Sequence, residues 1–270
     1  EEKSDFTIYE DEFSILVPSY SKRKDTLKKF LDYYATKSTL ELLPQLKKIF
    51  VIWIDEVNSQ QPLDMIKEKS YSIPIEFVSV PEKSLNYRYR APASLSTDAV
   101  MTIDDDVRIP LRSLEFLFQV YKNFPDRLVG LVNRPLLKYV TSSEPNKIKY
   151  YYEWSHKSEY YSLVLTGASF LHRNWLEKYW SDDSKLVKSR ELVNKNFNGE
   201  DLSMNFMVSH FNGLKGPIHV ETPEPWKMDG SVKTAISAAG DHAKKRTEML
   251  SSLSEVYGYI LQINWIASLF

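Results

Sequence analysis

Cysteine is absent from the 270-residue chain, so disulfides, thiolate metal sites and a cysteine nucleophile are excluded. A fold of this length needs no disulfides, so the absence leaves the compartment open. No Asn-x-Ser/Thr sequon occurs. Excess charge is missing too: 35 Lys and Arg face 36 Asp and Glu, giving a net charge of −1. That balance removes any bulk electrostatic argument for nucleic acid or an anionic membrane. Glycine is sparse at 8 residues, and neither the Gly-x4-Gly-Lys-Ser/Thr phosphate loop nor the Gly-x-Gly-x-x-Gly dinucleotide fingerprint is present. No apolar run is long enough to span a bilayer. Residues 1–5 (EEKSD) are no signal peptide and read as a cut end, with any anchor upstream. Residues 256–270 carry no charge and are expected to form a core-facing or interface helix.

What is present is an ordinary globular balance, 43% hydrophobic and 26% charged, enough for one substantial core. The first half alternates β-rich runs with helical spacing, as βαβ units do. Strands are expected at 13–17, 49–54, 74–80, 99–103 and 128–132, and helices at 24–36, 62–69 and 110–124. In the second half, strands are expected at 150–154 and 162–165, and helices at 174–180, 200–211 and 243–258. Residues 222–239 read as a loop. The expected fold class is α/β in a single domain, residues 13–270, after an N-terminal extension of 1–12. A nucleotide-sugar half ends near 132 and an acceptor half runs from 133.

The densest chemical signal is Asp104-Asp105-Asp106, three carboxylates directly after the apolar strand 99–103. Ligands of open α/β sheets sit beyond the carboxyl ends of strands. Three adjacent carboxylates repel one another and favour a cation; oxygen ligands alone suit a hard divalent ion, Mn²⁺ or Mg²⁺, shared with phosphate. In extended chain Asp104 and Asp106 point together and Asp105 points elsewhere. The bland alternative is a solvated acidic turn or a helix cap at Asp106. A D-x-D after a strand, with no glycine-rich phosphate loop, suggests a nucleotide-sugar transferase in which the metal neutralises the diphosphate.

Six segments, in order, resemble the exostosin-like glycosyltransferases of glycosyltransferase family 64. They are residues 84–88 (SLNYR), 97–107 (TDAVMTIDDDV), 124–132 (FPDRLVGLV) with Arg134, 161–170 (YSLVLTGASF), 200–206 (EDLSMNF), and His242 with Arg246. The resemblance implies a GT-A-type Rossmann-like mixed sheet flanked by helices. It also implies a metal-dependent transferase that retains anomeric configuration and moves a hexose from a nucleotide donor to a glycan or glycolipid in α linkage. UDP-GlcNAc or UDP-GalNAc is the favoured donor; GDP-mannose, or an inactive nucleotide- or carbohydrate-binding module, is the alternative. A phosphotransferase using the carboxylates for Mg²⁺ is a third reading. Asp104 and Asp106 would hold the metal and Asp105 would face the sugar. Asn86 and Arg88 would contact the nucleotide, with Asp55 and Arg134. Gly167 and Ala168 would form a tight turn against the donor. Asp201 would stand beside the anomeric centre with Glu200, and Arg246 would contact diphosphate or acceptor. The family usually has Asn-Asn after its second strand; here Ile54-Asp55 stands instead. The family context places the catalytic domain in the Golgi or ER lumen as part of a type II membrane protein. It gives no nucleic-acid partner and leaves a homo-oligomer open.

Overall fold

The strand-like runs of the first half come together as the centre of one seven-stranded sheet in the computed structural model, which describes residues 5–55, 63–64, 69–139, 147–150, 160–229 and 242–265. The sheet strands are β1 (Phe13–Ser19), β2 (Leu46–Trp53), β3 (Ile75–Ser79), β4 (Ala99–Ile103), β5 (Val129–Gly130), β6 (Ala168–His172) and β7 (Ile218–His219). Their spatial order is β7-β5-β6-β4-β1-β2-β3. Strands β4, β1, β2 and β3 are parallel, with Ile15 level with Ile49 on one side and Met101 on the other. Strand β6 runs antiparallel between β4 and β5, placing Ala168 opposite Ile103. The sheet is therefore mixed, and strands from both halves of the sequence share it.

Alternation along β1 explains the two cores. Phe13, Ile15 and Val17 face helices α1 (Lys24–Tyr34) and α3 (Leu111–Lys122), through Leu27, Phe30, Leu31, Leu114, Leu117 and Phe118; α2 is Lys37–Leu42. Leu16 faces the other layer with Phe50, Ile52 and Val100. That layer holds α4 (Arg173–Tyr179), α5 (Ser184–Asn196), α6 (Glu200–Phe211) and α7 (His242–Tyr257). Burial on both faces is why the central strands read as near-continuous apolar runs. A single α/β domain with helices on both faces of a mixed sheet is the architecture expected from the sequence.

Several expectations are corrected. The fifth strand shrinks to Val129–Gly130. At Gly130 an added Cβ would meet the Ala168 carbonyl oxygen at 2.6 Å, so only glycine lets β5 and β6 approach. The described part of the C-terminal tail, residues 258–265, is not a helix, and 266–270 lie outside the described residues. Helix α7 stops at Tyr257, Gly258 takes φ +82°, and Asn264–Trp265 pairs antiparallel with Tyr160–Tyr161. A glycine in the left-handed region ends a helix without a Cβ penalty, which an uncharged composition cannot reveal. Within the expected loop at 222–239, Lys227–Met228 pairs with Val107–Arg108, and 230–239 lie outside the described residues. Most of the expected helix at 62–69 and residues 151–154 of the expected strand lie outside them too. Helix α5 was not expected: only Leu186, Ser189 and Val193 of its residues are buried, too thin a stripe for a periodicity argument. Residues 5–12, the described part of the expected N-terminal extension, pack on the domain, with Phe6 stacked on Trp175 at 4.4 Å and Tyr9 N donating to Asp98 at 3.1 Å. No helix among the described residues is long and apolar enough to cross a membrane.

Candidate functional site

Parallel β4, β1 and β2 end side by side, and the segments that follow them form one wall of a cleft of about 600 Å³. Asp104–Asp106 follow β4, a single 3₁₀ turn at Ser21–Arg23 follows β1, and Ile54 and Asp55 follow β2. The opposite wall holds Glu200 and Asp201 at the start of α6, Arg246 on α7, and Tyr150. Trp226 and Met228 also line the cleft, from the ribbon paired to Val107–Arg108. That ribbon and the bond from Asp229 N to the Asp106 carbonyl at 2.8 Å fix the acidic turn from outside.

The three adjacent acids have three different fates. Asp105 is 2% exposed, and its oxygens accept from Ser19 Oγ at 2.7 Å and Arg23 Nε at 2.8 Å. It was expected to face the sugar; instead it is turned onto Arg23 because burial of a carboxylate demands a cation and donors. Asp106 meets Arg23 Nη2 through Oδ2 at 2.9 Å, while its Oδ1 is buried with no hydrogen-bond partner. Burial and then the neighbouring Asp104 charge push the Asp106 carboxyl above its ordinary value, with Arg23 offsetting only part. Asp104 retains 40% side-chain exposure and binds Arg88 Nη2 at 2.7 Å. Its carboxylate lies against Gly167, where a Cβ would come within 2.5 Å of Oδ2.

Two arginines make three ion pairs in the cleft. Arg88 links Asp104 to Glu200 Oε1, again at 2.7 Å, and donates to the Thr166 carbonyl at 3.3 Å. Arg246 Nη2 binds Asp201 Oδ2 at 2.8 Å and its guanidinium lies 4.4 Å from the Tyr150 ring centre. Burial would raise the Asp201 carboxyl, yet Arg246 and then Arg88 outweigh it and hold it below the ordinary carboxylate value. Glu200 goes the other way: burial and the Asp201 charge raise it, against Arg88 and Arg246. Two adjacent acids at one helix N-terminus are thus driven apart, Asp201 held as the anion.

A hard divalent ion fits this donor set in one manner only. Among the described residues no group of three or more His, Cys, Asp or Glu side chains is arranged to hold a metal alone. The cleft offers Asp106, with its orphaned Oδ1, and the half-exposed Asp104. One or two carboxylates completed by substrate phosphate oxygens and water is the usual mode for Mg²⁺, and Mn²⁺ shares its preference for oxygen. The residues therefore suit an ion that arrives with a diphosphate.

The expected residues do not all converge. Arg88, Asp55, Asp104, Asp105, Asp106, Arg134, Gly167, Glu200, Asp201, His242 and Arg246 line the cleft. Arg134 is buried, and its Nη1 donates to the Asn133 carbonyl at 2.7 Å. Asn86 and Ala168 do not line it. Asn86 donates to the Arg190 carbonyl at 3.0 Å and Asn194 Oδ1 at 2.8 Å, and accepts from Tyr179 OH at 2.6 Å. Its amide is consumed in anchoring the 3₁₀ turn Leu85–Tyr89 to α4 and α5, so direct nucleotide contact is withdrawn. Ala168 is a sheet residue whose carbonyl accepts from Leu131 N at 3.0 Å. Arg23 was missed. It sits in the basic run Lys22-Arg23-Lys24, and nothing local in the sequence tells which of the three turns inward.

The chain matches the glycosyl transferase family 64 domain over residues 13–264. It is 34% identical over 221 residues to the exostosin-like-3 homolog of Caenorhabditis elegans, covering 82% of this chain and 25% of that protein. It is 29% identical over 258 residues to glucosamine inositolphosphorylceramide transferase 1 of Arabidopsis thaliana, covering 94% and 31%. Glycosylinositol phosphorylceramide mannosyl transferase 1 of the same plant is 30% identical over 250 residues, covering 88% of this chain and 70% of the relative. The chain thus spans a quarter to a third of the length of the first two relatives.

Proposed function

This chain belongs to glycosyl transferase family 64, and from that premise we propose that it is a metal-dependent, retaining hexosyltransferase. It moves a sugar from a nucleoside-diphosphate donor to a carbohydrate or glycolipid acceptor. Support comes chiefly from one juxtaposition. The orphaned Asp106 oxygen stands beside Asp104 on one wall, and the Asp201–Arg246 pair stands across the same cleft. One wall addresses a diphosphate and the other a developing positive charge.

Asp106 and Asp104 would hold a divalent ion, which would supply Lewis-acid neutralisation of the departing diphosphate. Arg88 adds a fixed guanidinium fork beside the same oxygens, already oriented by Glu200. Asp201 is held as an anion by Arg246, with its Oδ1 pinned by Leu202 N at 2.8 Å. A preorganised carboxylate next to the anomeric carbon stabilises oxocarbenium-like charge as the bond to the diphosphate lengthens. The acceptor enters beside Trp226 and Met228, whose apolar surfaces suit the face of a sugar ring or the start of a lipid. UDP-N-acetylhexosamine is the donor implied by the resemblance. These diphosphate-side groups accept any nucleoside-diphosphate hexose, because none of them addresses the base. By the same family reasoning we place the domain in the lumen of the Golgi or ER.

The test is turnover set against binding. With Mn²⁺ and a nucleotide-sugar, the protein should release nucleoside diphosphate, and Asp201→Ala should lose that release while keeping nucleotide affinity. Unchanged turnover in Asp201→Ala, or none in the parent protein with UDP-GlcNAc, UDP-GalNAc and GDP-mannose, contradicts the proposal. Release of inorganic phosphate without sugar transfer would point to a phosphohydrolase.

A further inference from the structure

The end of the sheet away from the cleft carries a cluster that the proposed reaction does not use. Strand β4 runs from Ala99 toward the acidic turn, and antiparallel β6 brings His172 opposite Ala99, about 13 Å behind Ile103. His172 is 2% exposed and joins β6 to α4. Its Nδ1 accepts from Asn174 N at 3.2 Å, which caps α4. The neutral ring therefore carries its proton on Nε2, which donates to the Thr7 carbonyl at 3.4 Å. The residues beside Thr7 close over the same point. Phe6 lies edge-on to the imidazole at 5.4 Å as well as stacking on Trp175, and Asn174 Nδ2 donates to the Asp5 carbonyl. Tyr9 N is held by Asp98, which also pairs with Arg173 Nε at 3.2 Å.

This pair of imidazole bonds requires the neutral ring. A second proton, on Nδ1, sets one N–H against the Asn174 N–H and removes the cap. It also places positive charge at the N-terminal end of a helix, where that sign is disfavoured. Burial adds to the cost and holds the imidazole below its ordinary value, with the Thr7 carbonyl and Asp98 offsetting only part. The charged groups facing the ring are Asp98 ahead of β4, and Arg173 and Glu177 on α4. Asp5, the one charged residue of 5–9, is exposed. We propose that His172 is a proton-operated latch: the neutral ring holds residues 5–9 against α4, and protonation releases them. The sign follows from linkage. An imidazole whose value is lower in the docked state favours docking above the ordinary value near 6.5, and that contribution is lost as pH falls through the docked value. Within that window the released fraction rises by up to about tenfold per pH unit, the slope for one proton. The latched stretch leads directly into β1, so acidification frees the approach to the first strand of the sheet.

Hydrogen exchange of the amides of residues 5–9 tests this on the full chain, read by mass spectrometry and divided by the intrinsic rate at each pH. Protection should be constant above about pH 7 and fall below about pH 6.5, by up to about tenfold per unit. In His172→Asn the side chain still caps Asn174 N but does not titrate. Protection of the same residues should then be lower throughout and independent of pH over this range. Protection in the parent that does not change with pH overturns the proposal. So does a variant that keeps the parent's response, which would assign it to Asp98 or another acid. Nuclear magnetic resonance titration of the His172 ring reads the same linkage from the other side and leaves the ring unaltered. Phe6→Ala weakens docking, so the imidazole titration should move up toward the ordinary value of about 6.5. A titration that Phe6→Ala leaves unmoved overturns the latch, even if His172→Asn does not fold.

Discussion

Replacing Arg246 by methionine removes a cation from a buried ion pair in the cleft lining while keeping most of its length. Arg246 is 4% exposed and Asp201 7%, with 2.8 Å between them. Breaking a buried pair leaves an uncompensated charge and costs about 3–5 kcal/mol; losing the guanidinium from the Tyr150 ring adds ~1 kcal/mol. For a domain of this size that lowers Tm by roughly 10 °C. The pH dependence carries the sign. In the parent, Asp201 has a depressed carboxyl pKa, so its contribution is present above the ordinary value near ~4 and is lost as pH falls through the lower folded value. In the variant, burial dominates and raises the same group, which takes up a proton on mild acidification. Stability of Arg246→Met relative to the parent should therefore be worst at pH 7.5 and recover toward pH 5.5. Urea denaturation at both pH values measures this. Adding Asp201→Asn to Arg246→Met should restore at least about half of the loss, because the unpaired charge is then gone. A loss under ~1 kcal/mol, or a double variant no better than the single one, would refute the view that Arg246 exists to hold Asp201 ionised.

Other consequences are equally direct. Gly167→Ala drives a Cβ into the carboxylate end of Asp104, a movable side chain. Stability should change by less than ~1 kcal/mol while donor affinity falls on the order of tenfold, read by denaturation and calorimetry together. Gly130→Ala strikes backbone and Val164 instead, so it should cost ~1–3 kcal/mol by denaturation with turnover per folded molecule unchanged. Because Asp106 is raised by burial and Asp104, Mn²⁺ bound there as proposed would have to displace a proton at higher pH than from an ordinary aspartate. The acid limb of Mn²⁺-dependent donor binding should accordingly lie above pH ~4, and an acid limb at or below that value would contradict the shift.

The sequence exposed what is local. A strand ending in three aspartates, and an acidic pair opening a helix, are contiguous patterns, and both are found where expected, on facing walls of one cleft. The parallel centre of the sheet was legible for the same reason, since each buried strand is a near-continuous apolar run. What escaped depends on distant partners. Arg23 meets acids more than 80 positions away, and Arg88 meets Glu200 across 112. Asn86 shows the reverse error: an amide suited to reading a ribose or base is equally suited to tying a 3₁₀ turn to two helices. The fates of Asp104, Asp105 and Asp106 separate for a similar reason. Each is set chiefly by a guanidinium distant in sequence, Arg23 for Asp105 and Asp106 and Arg88 for Asp104.

A divalent ion bound jointly by the acidic turn and a nucleoside diphosphate is the premise of the proposed function. Electron paramagnetic resonance of Mn²⁺ tests this most directly, because free and protein-bound Mn²⁺ have distinct signals. With nucleoside diphosphate present, the protein should take up one Mn²⁺ per chain, and Asp106→Asn should abolish that uptake while the chain stays folded. Undiminished Mn²⁺ uptake in Asp106→Asn, or none in the parent with either GDP or UDP, would contradict it.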